Sequence, residues 1–211
     1  MLHQYQSIYL ASNSPRRKEL LTQLGVAFTH INNEFDETQL ANETPLEYVE
    51  RLAMGKALSA KQNLATSTQV LTMNMESLNS YKVPILAADT IVVLENEVLG
   101  KPVDKQDAVN TLSKLSGKTH QVLTSVVVVD SEQQVQKTSQ SSVTFEHINL
   151  SQINTYCDTL EPMGKAGSYA IQGVAASFIK RLVGSYSGVM GLPLFETRQM
   201  LDEFNIKYLL N

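Results

Sequence analysis

The chain has 211 residues, of which 43% are apolar and 18% charged, with a net charge of -4; that is an ordinary globular balance and enough chain for one or two domains with a substantial core. The acidic balance gives no overall pull toward nucleic-acid polymers or anionic membranes, no apolar run approaches a membrane span, and no charged-then-apolar leader opens the chain. One cysteine, Cys157, cannot form an internal disulfide, so a reducing compartment and a soluble, cytoplasmic protein are expected; Cys157 itself reads as a small helix residue.

Ser7–Ala11 reads as a short strand running into SNSPRRKE. Ser14 is a good N-cap and Pro15 suits the first helical turn. The helix shows Leu20, Leu21 and Leu24 on one face and stops at Gly25. Arg16 and Arg17 sit in the first turn, where the helix dipole already places positive charge. An anion there reverses the sign, because N–H groups, hydroxyls and guanidiniums would then converge as a phosphate site. The plainer reading is a capped helix with solvated arginines. Val26–Asn32 reads as a second strand, followed by the acidic loop of Glu34, Asp36 and Glu37. Thr44-Pro45-Leu46-Glu47 is a capping box. The helix it opens carries Leu46, Val49, Leu52, Ala53, Ala57 and Ala60 at helical spacing, with Lys56 near the edge of that stripe. A lysine so placed usually reaches out to solvent. Residues 62 to 83 lose periodicity and are rich in Gln, Asn, Ser and Thr, which predicts a long surface connection.

Ile85–Leu94, ILAADTIVVL, is nearly continuous apolar sequence and reads as a strand buried on both faces. Asp89 interrupts it. A carboxylate there is costly unless paired, metal-bound or satisfied by backbone N–H groups, and each of these stays open at this point. After a turn at Glu95–Glu97, Val98-Leu99 returns as a hairpin strand. Gly100-Lys101-Pro102 ends it and could aim Lys101 toward Asp89. Asp104 caps a helix with Ala108, Val109, Leu112 and Leu115 inward, closed at Gly117. Thr119–Val129 and Val135–Ile148 read as long strands. His120 at the start of the first reads as a strand-end histidine holding a hydrogen bond. Ser151 is the expected cap of a short helix through Leu160. The loop Gly164–Gly173 has three glycines and one amide, Gln172, and could wrap a flat ligand. Ala175–Val183 reads as strand, and Gly188–Pro193 as a turn before a last helix carrying Leu201 and Phe204. Alternating elements early and hairpins in the middle imply one α/β domain over 1–211 with a mixed sheet; two lobes around a central cleft are a variant of that reading.

The segments LASNSPRRKELL, RLAMGKA, ILAADTIV, LGKP, LSGKTHQVLTSV, GKAGSYAIQG and GSYSGVMGLPL, in this order, closely resemble the Maf family of nucleoside triphosphate pyrophosphatases. The resemblance implies an elongated mixed β-sheet flanked by helices and hydrolysis between the α- and β-phosphates, giving a monophosphate and pyrophosphate. It further implies a divalent cation (Mg²⁺ or Mn²⁺), a cytoplasmic location and a homodimer. Carried over by position, Asp89 matches the family's proton acceptor. Arg16, Thr90 and Gln172 match positions tied to substrate choice, and Ser12, Arg17, Glu37, Lys56 and Lys101 match further active-site positions. Glu37 is the best further carboxylate for the metal, and Asp89 itself could hold metal rather than a proton. Ala170–Gly173 is similar to the branch acting on dTTP and UTP. The chain departs from that branch in the length of residues 62–83 and in Asn13. The alternatives are the same chemistry on 7-methyl-GTP or other modified nucleotides, or a nucleotide-binding regulator of cell division without turnover.

Overall fold

The computed structural model describes residues 4–70 and 83–211. Among the described residues seven strands form one mixed sheet, β1 (Ile8–Leu10), β2 (Phe28–His30), β3 (Ile85–Leu94), β4 (Glu97–Leu99), β5 (Thr119–Val129), β6 (Gln134–Phe145) and β7 (Ile179–Val183); six run in the order β2-β1-β3-β5-β6-β7 and β4 pairs with β3 off that path. The pairs β1–β2 and β1–β3 are parallel, and the rest are antiparallel. Helix α2 (Pro45–Val70) lies on one face, its Ala53, Ala57 and Ala60 packing on Ile85, Ala87, Val127 and Val129. The other face carries α1 (Pro15–Gln23) and α6 (Leu194–Glu203) near one end, and α3 (Lys105–Leu115) and α4 (Leu150–Asp158) near the other. A short helix α5 (Tyr186–Met190) precedes α6.

Two features of β3 position the site. The first is a gap in its edge. On the side away from β5, β1 pairs only with Ile85 and Leu86, and β4 pairs only with Val92, Val93 and Leu94. The edge between them, around Asp89 and Thr90, is left open where β1 ends and its chain turns away into α1. The second is a polar seam through the sheet. Asp89 pairs in register with Ser125, and Thr90 with Thr124. Successive strand residues face opposite sides, so this one row interrupts the apolar packing on both. On the α2 face it separates Ala87 and Val127 from Ile91 and Leu123. On the other it separates Ala88 and Val126 from Val92 and Val122. The expectation of a strand buried on both faces holds for all ten residues but Thr90, which is half-buried.

The capping box at Thr44 is present, with Glu47 N–H donating to Thr44 Oγ1 at 3.3 Å and Thr44 N–H donating to Glu47 Oε2 at 2.9 Å. Several boundaries differ from expectation. The polar stretch from residue 62 continues α2 to Val70, because Gln, Ala and Leu are adequate helix formers even without an apolar face; residues 71–82 of the expected connection lie outside the described residues. The cap of α4 is Asn149, not Ser151, in a reciprocal box with Gln152. Val174–Phe178 forms a 3₁₀ turn rather than strand. The second strand shortens to Phe28–His30, and β6 ends at Phe145. Ser14 holds the N-cap position of α1 without a side-chain bond to the helix.

Candidate active site

The open edge of β3 forms one wall of a cavity of 750 Å³, within the usual range for a small-molecule site. It is lined by Ser12, Arg16, Arg17, Glu37, Lys56, Asp89, Thr90, Lys101 and Gln172, among others. All nine residues singled out in the sequence therefore converge on one space, although they span positions 12 to 172. Its lining has five cations, Arg16, Arg17, Lys56, Lys101 and Lys165, against two anions, Glu37 and Asp89. A locally basic pocket thus sits in a chain of net charge -4, as an anionic small ligand requires.

At one end, Lys56 Nζ lies 2.5 Å from Asp89 Oδ1 and 2.6 Å from Glu37 Oε1. The lysine is only 14% exposed and the Asp89 side chain 11%, so the pair is largely withdrawn from water. Lys56 does not reach out to solvent as its place on α2 suggested; two carboxylates hold its ammonium inward. Lys101 Nζ stands 3.7 Å from Glu37 Oε2, and the hairpin turn thus brings it to the Asp89 end. Gly100 is not required by close packing, since a Cβ there would meet nothing within 4 Å. Burial pulls the Glu37 carboxyl upward, but the Lys56 bond and the charges of Lys56, Lys101 and Arg17 outweigh it and leave it below its ordinary value.

On the other face of β3, Arg17 donates from Nε to the Gly191 carbonyl at 2.7 Å, from Nη1 to Ser12 Oγ at 3.0 Å and from Nη2 to Thr90 Oγ1 at 3.0 Å. Thr124 Oγ1 is 2.8 Å from the Gly188 carbonyl and 2.9 Å from Thr90 Oγ1. Thr124 has one hydroxyl hydrogen and the carbonyl can only accept, so Thr124 donates to Gly188 and Thr90 donates to Thr124. A directed chain runs from Arg17 through Thr90 and Thr124 to Gly188. Arg17 is thus committed to holding the 12–17 turn, β3 and the 188–191 turn together. Arg16 forms no ion pair among the described residues, and its burial lowers its pKa; its charge is left for a ligand.

The remaining wall is the loop 163–172. Gly167 has φ +67°, and a Cβ there would lie 2.8 Å from Val92 Cγ2, so only glycine lets the loop rest on β3. Its N–H donates to the Gly100 carbonyl at 3.1 Å, joining this loop to the one bearing Lys101. Gln172 stands exposed at the cavity rim. Tyr169 also lines the cavity, with its hydroxyl 2.9 Å from Nε2 of buried His120; the expected hydrogen bond of His120 is this one.

Several residues that build the site were not singled out in the sequence. Thr124 could have been, because a hydroxyl in THQVLTSVVVV raises the same question as Asp89 in its strand. Gly191, read only as a turn, has φ +115° and supplies the acceptor for Arg17. Asn33 and Lys165 carried no signal.

Two carboxylates sharing one ammonium form a donor set that suits a divalent cation only if phosphate and water fill the other positions. Consistently, no group of three or more His, Cys, Asp or Glu that could hold a metal occurs among the described residues. The residues present therefore fit a cation arriving with a polyphosphate and not a protein-only metal cage.

The family described as Maf-like protein matches residues 7–204. A protein of Pseudoalteromonas translucida named dTTP/UTP pyrophosphatase is 45% identical over 198 residues, covering 94% of this chain and 97% of that protein. A protein of Alkalilimnicola ehrlichii with the same name is 46% identical over 201 residues, covering 95% and 94%. A protein of Haemophilus ducreyi named nucleoside triphosphate pyrophosphatase is 43% identical over 210 residues, covering 97% and 98%. Similarity of this degree, sustained along nearly the whole of each protein, leaves one assignment: the chain belongs to the Maf family.

Proposed function

We propose that this protein is a nucleoside triphosphate pyrophosphatase that converts dTTP and UTP, with one water, to the monophosphate and pyrophosphate. The observation carrying this reading is the pairing of Asp89 and Glu37 on Lys56 at one end of a cavity that otherwise presents unspent positive charge. The names of the relatives support the choice of reaction and substrate.

A triphosphate repels a nucleophile of like charge, so the residues must first neutralise it. Arg16, Lys101 and the N–H groups at the start of α1 are the groups for the phosphates. Lys56 spans from them to the carboxylates. Asp89 Oδ1 is taken by Lys56, and Asp89 Oδ2 is left to accept the proton of the attacking water at the α-phosphorus. A well-placed base of this kind contributes about 10²–10⁴ in rate. A divalent cation, Mg²⁺ or Mn²⁺, held by Glu37 with phosphate oxygens, would supply charge neutralisation and polarise the phosphoryl group. The pyrophosphate leaves with the electron pair of the broken P–O bond. At the far end, Gln172 with the backbone of 170–173 reads a pyrimidine edge carrying a carbonyl at position 4. In this reading the enzyme works in the cytoplasm as a homodimer; among the described residues no helix is long and apolar enough to cross a membrane.

Pyrophosphate release from dTTP, UTP, CTP, dCTP, GTP and 7-methyl-GTP with Mg²⁺ or Mn²⁺ tests the reading. Turnover of dTTP and UTP ahead of the others supports it. Release from 7-methyl-GTP alone overturns the base assignment. Stoichiometric binding without pyrophosphate overturns the enzyme and favours a regulator.

A further inference from the structure

The Glu37 carboxylate stands in a loop, residues 31–44, that has no helix or strand, and its side chain is 45% exposed. A loop glutamate is a poor ligand unless something fixes it, because its torsional freedom must be given up on binding. The loop is fixed by α2, along which it runs antiparallel. Asn33 Nδ2 donates to the Lys56 carbonyl at 2.6 Å, the Tyr48 hydroxyl donates to the Glu37 carbonyl at 2.7 Å, and Arg51 Nη2 donates to the Thr38 carbonyl at 2.9 Å.

Between these bonds lies a contact that accounts for an odd residue. Gly55 sits inside α2, where glycine is unfavourable, and its φ is not positive. The reason for it is space. A Cβ at Gly55 would lie 2.1 Å from Cζ of Phe35 and 2.5 and 2.6 Å from its Cε atoms. The Phe35 ring occupies the place of a side chain on α2, one residue before Lys56 and two residues before Glu37.

We propose that the seating of Phe35 on Gly55 is the positioning device that sets the Glu37 carboxylate beside Lys56 and so forms the cation site. This rests on the reading above that Glu37 holds the divalent cation. Phe35 and Gly55 touch neither substrate nor cation; they act through Glu37. Ring and glycine form a matched pair, and damage to either frees the loop.

The test is Mn²⁺ affinity, followed by electron paramagnetic resonance with saturating α,β-methylene-UTP, which cannot be hydrolysed. Wild type is compared with Phe35→Ala, Phe35→Leu, Gly55→Ala, Glu37→Gln and Phe35→Ala combined with Glu37→Gln. Groups that orient a metal ligand typically contribute about 10–100-fold to affinity. Phe35→Ala and Gly55→Ala should each weaken Mn²⁺ about tenfold, and Phe35→Leu, which keeps an apolar seat, by less. The combined variant should be no weaker than Glu37→Gln alone, because the ring acts only through that carboxylate. Unchanged affinity in Phe35→Ala beside a loss in Glu37→Gln overturns the positioning role and leaves the cation reading standing. Additive losses in the combined variant also overturn it. Unchanged affinity in Glu37→Gln removes the cation reading and the proposal with it. Should Phe35→Ala fail to fold, Phe35→Leu with Glu37→Gln supplies the same cycle.

Discussion

His120 makes the stability of this fold depend on pH between its ordinary value of 6.5 and about 4. The residue is 1% exposed, meets the Phe145 and Tyr169 rings edge-on, and finds no partner for Nδ1 among the described residues. Burial lowers its pKa from 6.5 to about 4. The unfolded chain thus binds a proton between these values when the folded one does not. Stability from this group is fully present above pH 6.5 and is lost as pH falls toward 4. Between pH 7.5 and pH 5 the loss works out at about 2 kcal/mol, and it approaches about 3 kcal/mol below pH 4. Urea unfolding of wild type and His120→Gln at both pH values isolates it, because carboxylate contributions cancel in the double difference. The variant should lose about 2 kcal/mol less than wild type on acidification. Equal losses in the two proteins would refute the reasoning.

Thr124→Val breaks the chain from Arg17 to Gly188 at a neutral link and should cost about 1 kcal/mol in urea unfolding; Thr90→Val removes an acceptor from the Arg17 guanidinium and should cost about 1.5–3 kcal/mol, with a larger fall in kcat/KM. Gly167→Ala forces a left-handed backbone on alanine and drives its Cβ against Val92; a loss of roughly 1–3 kcal/mol and a raised KM for UTP are expected from thermal unfolding and steady-state kinetics. Burial pulls Glu37 upward, but the bond and charge of Lys56 with the charges of Lys101 and Arg17 together outweigh it, so its contribution to stability is present above the ordinary glutamate range and lost as pH falls through its depressed value; Glu37→Gln should soften the decline of stability below about pH 4.3.

The order of elements and the three unusual stretches were legible in the sequence because each broke a local rule. Asp89 interrupts an apolar strand, two arginines crowd a helix N-terminus, and glycines cluster around Gln172. Their convergence was not legible from periodicity. It depends on the edge gap in β3 between β1 and β4, which is a matter of strand pairing at a distance. Lys56 shows the same limit. Its position on α2 suggests solvent, and its role depends on carboxylates brought from a loop and from β3. The extension of α2 to Val70 was missed because polar residues on a surface helix leave no apolar stripe. The cap at Asn149 was missed because both Asn149 and Ser151 satisfy the cap preference, and only the reciprocal bond with Gln152 separates them.

The most direct test of the account is hydrolysis of UTP in ¹⁸O-labelled water by wild type and Asp89→Asn, with mass analysis of both products. Attack at the α-phosphorus with Asp89 as base predicts label in the monophosphate, none in pyrophosphate, and a rate lower by about 10²–10⁴ in the variant. Label in pyrophosphate, or undiminished turnover by a well-folded Asp89→Asn protein, would contradict it.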